Sequence, residues 1–174
     1  MYNMRRSAVS SPIGEPQQMI SVSVPGFKDL QLEYLVLDFN GTLAVDGYLI
    51  NGVSDRLKEL AAHLEVYVLT ADTFGQARQE MDGIPCTVTI LPPDRQDIGK
   101  RQFIRNLGPE RCVCIGNGRN DRLMLREAAL GIAVLQAEGA SAQTILAADV
   151  VVATIHDALD LLCRPLRLTA TLRS

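Results

Sequence analysis

Tyr34-Leu35-Val36-Leu37-Asp38-Phe39-Asn40-Gly41-Thr42-Leu43 opens as an unbroken apolar run and halts at a carboxylate. An apolar run of this length, closed by a turn signal, reads as a strand buried on both faces. Gly41-Thr42 suits a tight turn whose backbone N–H groups can face an anion. Open α/β sheets hold their ligands at the carboxyl ends of strands, so a charge at that point marks a candidate site. A strand that simply ends in a turn would read the same way from this stretch alone.

Working outward, the chain keeps alternating strand and helix. Residues 1–18 are polar and rich in Ser, Pro, Gly and Gln, and are expected to be a flexible N-terminal segment ahead of a single domain over 19–174. Ile20, Val22 and Val24 alternate with serines, Pro25-Gly26 marks a turn, and Leu30 and Leu32 resume the alternation. That is a β-hairpin leading into the central strand. Asp46-Gly47 between apolar residues signals a second, short hairpin. Val53, Leu57, Leu60, Ala61 and Leu64 follow helical spacing, and residues 65–70 return to strand. The pattern predicts a helix over 74–81, a strand over 86–91, a helix over 97–106 and a strand over 111–115. After the Gly116–Asp121 loop come a helix, strands over 132–135 and 150–152 with a helix between them, and a helix over 155–162. Such alternation predicts a doubly wound parallel sheet with helices on both faces. The polar clusters at Asp38, Thr70, Lys100 and 116–121 would then gather at one sheet edge. After Pro165, Leu166, Leu168, Ala170 and Leu172 alternate with polar residues, which reads as a strand-like tail.

Composition narrows the function classes. The chain has 174 residues, one ordinary domain, and 47% hydrophobic content is enough for a full core. A net charge of −3 argues against a nucleic-acid or anionic-membrane partner. No apolar run approaches the ~18 residues of a membrane span, and residues 1–19 lack a signal-peptide core, so a cytoplasmic location is expected. The four cysteines, Cys86, Cys112, Cys114 and Cys163, have no zinc spacing. Cys112 and Cys114 share one strand face and read as small buried hydrophobes. His63 and His156 lie away from the polar clusters and are given no catalytic role.

Asp38-Phe39-Asn40-Gly41-Thr42 resembles the first motif of the haloacid dehalogenase (HAD) superfamily, usually Asp-x-Asp-Gly-Thr. The strand ending at Thr70, Lys100 at a helix start, and Gly116-Asn117-Gly118-Arg119-Asn120-Asp121 resemble that superfamily's later motifs, in order. The last is similar to a loop of P-type ATPases, so the nearest resemblance is to the soluble P-type-ATPase-like group. It covers roughly residues 34 to 162. Each motif alone is weak, but four in order at these spacings are specific.

The resemblance implies a HAD-like fold with a flap hairpin at 44–52 and no cap domain. It also implies a Mg²⁺-dependent phosphohydrolase acting on a small phosphorylated substrate. Asp38 would be the nucleophile that forms an aspartyl-phosphate. Gly41, Thr42, Thr70, Ala71 and Lys100 would bind phosphate, and Asp38, the Asn40 carbonyl, Asn117 and Asp121 would hold Mg²⁺. Two departures stand out. Asn40 occupies the position of the usual acid/base Asp and cannot exchange a proton there. Asn117 replaces a carboxylate with an amide. Asp46 and Asp72 are candidate substitutes that read more simply as turn residues. Hydrolysis would then be slow for poor leaving groups. The alternatives are a non-catalytic scaffold that binds phosphate or a protein partner, and ATPase-like phosphoryl transfer. Because a capless site lies open, a homo-oligomer, dimer or tetramer, is expected, with the tail or the N-terminal hairpin at its interface.

Overall fold

A computed structural model describes residues 19–72 and 75–174. The expectation for residues 1–18 lies outside the described residues. Strands β1 (Ile20–Ser23) and β2 (Asp29–Leu32) form the antiparallel hairpin, with Val22 opposite Leu30. Glu33 breaks the chain between β2 and β3 (Tyr34–Asp38). Its N–H donates to the Arg111 carbonyl and its carbonyl accepts from Glu65 N–H, both at 2.9 Å, so the hairpin is tied to the main sheet.

That sheet has six parallel strands. β3 is central, flanked by β6 (Glu65–Thr70) and β8 (Cys112–Gly116). Beyond β6 lies β7 (Thr87–Ile90); beyond β8 lie β9 (Leu130–Val134) and β10 (Val150–Val152). The order β10-β9-β8-β3-β6-β7 reverses direction beside β3. A crevice opens at such a reversal, and Asp38 and Gly116 end the two strands that border it.

Burial explains why β3 is apolar throughout. Leu35 and Leu37 enter one core with Val113, Ile115, Leu57 and Leu159. Val36 enters the other with Cys112, Cys114, Ile104 and Leu125. Each face is covered by helices: α1 (Val53–Leu60) packs with α6 (Ile155–Cys163), and α3 (Gln96–Leu107) with α4 (Arg122–Glu127). Each fully buried Leu contributes roughly 1.5–3 kcal/mol, which makes the two-sided run the stabilising spine of the domain. The period of two puts Asp38 on the Val36 side, facing the α3–α4 layer. Gly131 in β9 lets α4 approach closely: a Cβ there would stand 2.4 Å from the Leu125 carbonyl oxygen.

The flap is a two-residue ladder, β4 (Ala44–Val45) with β5 (Tyr48–Leu49), turned by Asp46 (φ 52°) and Gly47 (φ 85°). The short helices α2 (Ala77–Glu80) and α5 (Ala142–Ile145) complete the alternation. Helix α2 is shorter than expected, and Phe74 lies outside the described residues. Between Asp38 and Thr70 the chain holds only the flap, α1 and β6, so no cap domain intervenes. Among the described residues no helix is long and apolar enough to cross a membrane.

One expectation is overturned. The tail is a helix, α7 (Pro165–Leu172), not a strand. Pro165 stands at its first turn, where a missing N–H costs nothing. Leu168 is fully buried against the chain's own core and Leu166 is exposed. Ser174 N–H donates to the Pro25 carbonyl at 3.2 Å. The segment therefore closes over its own hairpin and offers no strand edge to a neighbour.

Candidate active site

Four chain segments meet at the carboxyl edge of β3. Lys100, on the second turn of α3, has no exposed surface. Its ammonium donates to Asp38 Oδ1 at 2.5 Å and to Asp121 Oδ1 at 2.6 Å. Asp121 is fixed from behind, because its Oδ2 accepts from Asn117 N–H at 3.0 Å and Gly118 N–H at 2.8 Å. Gly116 is needed for this: a Cβ there would fall 2.5 Å from Asp121 Cγ. The Thr42 hydroxyl lies 3.4 Å from Asp38 Oδ2 and donates to Asn117 Oδ1 at 3.1 Å. Asn117 Nδ2 donates to the Gly139 carbonyl at 2.9 Å, which turns the amide oxygen towards Thr42. Asp38, Thr42, Lys100, Asn117 and Asp121 thus form one buried cluster.

Thr70 ends β6 one position beyond Leu69, the register partner of Asp38. Its hydroxyl accepts from Asp72 N–H at 2.9 Å and among the described residues donates to none, so its own hydrogen can serve another acceptor. Ala71 follows at the same edge. Asp72 (φ 51°) accepts from Ala77 N–H at 2.9 Å and so holds the start of α2. Asp46 sits in the flap turn. Both behave as turn residues.

The turn after Asp38 corrects one expectation. The Phe39 carbonyl accepts from the N–H groups of Thr42, Leu43 and Ala44. Gly41 N–H donates to the Ala44 carbonyl at 2.8 Å. The Gly41 and Thr42 amides are therefore spent inside the loop and do not face an anion here; Thr42 meets the cluster through its hydroxyl. Gly41 is still required, with φ 75° and a Cβ position only 2.3 Å from Asn117 Nδ2.

Charge sets the chemistry. Two carboxylates against one ammonium leave the buried cluster with an excess negative charge. Burial, and then the charge of Asp121, pushes the Asp38 carboxyl up to about 7 against the pull of Lys100. Burial works against the Lys100 ammonium, but Asp121 and Asp38 outweigh it and hold its pKa above the usual lysine value. Cys114, behind the cluster, has its thiol pushed well up by burial, in keeping with an inert hydrophobe.

The donor set suits a hard divalent cation. It offers oxygen only: Asp38, Asn117, the Asn40 backbone and Asp121. The excess negative charge calls for a cation, and Asn40 Oδ1 is buried without a hydrogen-bond partner. Among the described residues no three His, Cys, Asp or Glu side chains cluster as a metal site, so amide and carbonyl oxygens would have to contribute. Asp121 has both oxygens engaged, which suits it better to anchoring Lys100 than to direct ligation.

Sequence reading missed Gln136, just past β9. Its Nε2 donates to the carbonyls of Gly41 at 3.0 Å and Thr42 at 2.7 Å, and its Oε1 accepts from Ile155 N–H at 2.9 Å. One side chain clamps the turn after Asp38 to the start of α6. Glu138 in the same loop accepts from Asp46 N–H at 3.0 Å and holds the flap. No spacing signals either residue, because both partners are backbone groups distant in sequence.

No family model matches the chain. Two uncharacterized proteins of Methanocaldococcus jannaschii are similar to it. One is 46% identical over 82 residues, 45% of this chain and 88% of that protein. The other is 49% identical over 39 residues, 22% of this chain and 89% of that protein. Among solved structures, a cobalt-bound deoxy-D-mannose-octulosonate 8-phosphate phosphatase of Haemophilus influenzae superposes with a TM-score of 0.64 at 14% identity, over 82% of this chain and 94% of that one. The 3-deoxy-D-manno-octulosonate 8-phosphate phosphatase of Moraxella catarrhalis, in complex with magnesium, phosphate and the sugar acid, gives 0.61 at 15% identity over the same shares. A HAD-superfamily phosphatase of Bacteroides thetaiotaomicron gives 0.54 at 13% identity, over 80% and 95%.

Proposed function

The chain belongs to the same family as the Methanocaldococcus jannaschii proteins and has the HAD fold, and on that premise we propose a Mg²⁺-dependent phosphohydrolase that works through an aspartyl-phosphate on Asp38. The observation that carries this reading is Lys100, wholly buried and bridging Asp38 and Asp121 at 2.5 and 2.6 Å. A lysine is rarely hidden this completely unless it holds charge in place. Structural neighbours with bound magnesium, cobalt and phosphate support the same chemistry.

Mg²⁺ would be held by Asp38, the Asn40 carbonyl and Asn117, with Asp121 anchoring Lys100 beside it through both of its oxygens, and it would neutralise charge on the phosphoryl oxygens. Lys100 orients the Asp38 carboxylate and offsets negative charge beside it. Asp38 attacks phosphorus as the ester P–O bond breaks; the leaving oxygen then takes a proton from solvent. The Thr70 hydroxyl, which donates to no described residue, and Ala71 would bind a phosphoryl oxygen. Water then attacks the aspartyl-phosphate, releasing phosphate and regenerating the carboxylate. Asn40 can donate a hydrogen bond to the leaving oxygen but cannot give or take a proton. Good leaving groups, such as acyl phosphates, are therefore the better substrates.

The amides at Asn40 and Asn117 favour a second reading, a scaffold that binds phosphate without turnover. Transfer of the P-type-ATPase kind is less supported, because residues 39–69 contain no nucleotide-binding unit. A dimer or tetramer remains part of the proposal, supported by the exposed Tyr48 on the flap and Leu166 on α7, and light scattering tests it. Beryllofluoride with Mg²⁺ tests the main reading. A phosphoryl-competent site takes it up on Asp38, seen by fluorine NMR, and Asp38→Asn loses the signal. No uptake by the intact chain would exclude the aspartyl-phosphate route.

A further inference from the structure

The site described so far accounts for one phosphate. Beside it lies an open cleft of about 380 Å³, between the start of α3 and the turn of 119–121. It is lined by Arg95, Gln96, Asp97, Arg119, Asn120 and Arg122. Its floor is a hydrogen bond from Asn120 Nδ2 to Gln96 Oε1 at 2.7 Å. Both residues stand close along the chain to members of the buried cluster. Lys100 follows Gln96 by one turn of α3, about 6 Å along the helix axis, and Asp121 follows Asn120 directly.

The lining charge is unbalanced. Asp97 is the one acidic side chain lining the cleft, and Arg122 pairs with it at 2.8 Å. Arg95 and Arg119 are both exposed, and neither has an acidic partner among the described residues. Arg119 makes one side-chain contact, donating from Nε to Gln143 Oε1 at 3.1 Å, which holds its stem and leaves the terminal nitrogens free. Asp94, next to Arg95, does not pair with it. Two guanidinium groups without an acidic partner thus face one cleft. The planar fork of a guanidinium matches a carboxylate or phosphate with two parallel hydrogen bonds.

We propose that this cleft is a second anion site, which takes a phosphate or carboxylate carried elsewhere on the substrate. The inference rests on the phosphohydrolase reading for its first anion. It names the substrate class as a small phosphate ester with a second anionic group about one helical turn from the scissile phosphate. Arg95 and Arg119 bind that group; they do not touch the reacting atoms.

The test is calorimetric binding to the full chain carrying Asp38→Asn, with Mg²⁺ present. The probes are propyl phosphate, 3-phosphooxypropanoate and propane-1,3-diol bisphosphate. Each two-anion probe should bind at least tenfold more tightly than propyl phosphate, and their ratio tells carboxylate from phosphate. Adding Arg95→Gln and Arg119→Gln, or Arg119→Glu alone, should abolish the preference and leave propyl phosphate binding and the melting temperature in place. Equal affinities, or a preference that survives the arginine changes, would overturn the site. Preference without turnover by the intact chain of these esters or of acetyl phosphate would sink the phosphohydrolase reading and keep the site. Turnover without preference would do the reverse, and no binding of any probe would overturn both.

Discussion

Lys100→Met is the sharpest probe of the buried charge cluster. Methionine is unbranched and of similar length, so packing around Ile104 changes little while the ammonium is lost. Asp38 and Asp121 are then left as two carboxylates in a site without solvent, with only Thr42 and backbone amides as partners. Removing one member of a buried ion pair costs roughly 3–5 kcal/mol. For a domain of this size that lowers the melting temperature by roughly 10 °C. The loss should depend on pH with a definite sign. Without Lys100 the Asp38 carboxyl, raised by burial and by the charge of Asp121, loses the one cation that pulls it down and holds its proton more tightly in the folded than in the unfolded chain. Stability of the variant therefore recovers as pH falls, and the deficit seen at about pH 8 narrows at about pH 5. Adding Asp121→Asn should restore part of the loss, since it removes one of the stranded charges. Urea unfolding followed by circular dichroism, in chelator, measures all three. A deficit below about 1 kcal/mol at about pH 8, or one that does not change with pH, would mean that Lys100 does not compensate the two carboxylates.

Asp38→Asn should abolish turnover with the fold intact, measured by phosphate release and circular dichroism. In chelator the raised Asp38 carboxyl favours the folded state fully below pH 3.8, and that contribution is lost as pH rises through about 7. The Asn variant should therefore gain stability relative to the parent between those limits, by roughly 4 kcal/mol at most. Asn40→Asp supplies the missing proton donor and should raise alkyl phosphate hydrolysis by about 10²-fold, with little change for acetyl phosphate; steady-state rates with both substrates would show it. Gly41→Ala forces an L-residue into a left-handed backbone and pushes Asn117 aside, so it should cost roughly 1–2 kcal/mol and weaken Mg²⁺ binding by calorimetry.

The central run from Tyr34 to Asp38 was legible because burial on two faces and a terminal charge are both local signals. The same holds for the hairpin at Asp46-Gly47 and for the Lys100 helix. The tail misled, since Leu166, Leu168, Ala170 and Leu172 fit a period of two as well as they fit a helix of two turns. Pro165 at the first position and the spacing of Leu168 from Leu172 were the signals that favoured the helix. The amide reading of Gly41-Thr42 failed for a different reason. A turn motif says that N–H groups are available, and only the fold decides whether Ala44 and Phe39 take them first. Gln136 and the Arg122–Asp97 pair were invisible because their partners are brought close only by the sheet order.

That sheet order also dictates when the molecule becomes competent. Strand β3 must find Glu65 on one side and Cys112 on the other, and the second partner is the more distant in sequence. Closing so long a loop is slow compared with forming the hairpins and α1. A folding chain can therefore gain much of its helix while Asp38 still lacks Asp121. The cluster of Asp38, Lys100 and Asp121 is then expected to form late in folding. In a refolding experiment, beryllofluoride uptake should lag the far-ultraviolet signal; uptake that rises with the earliest helix would contradict this order of events.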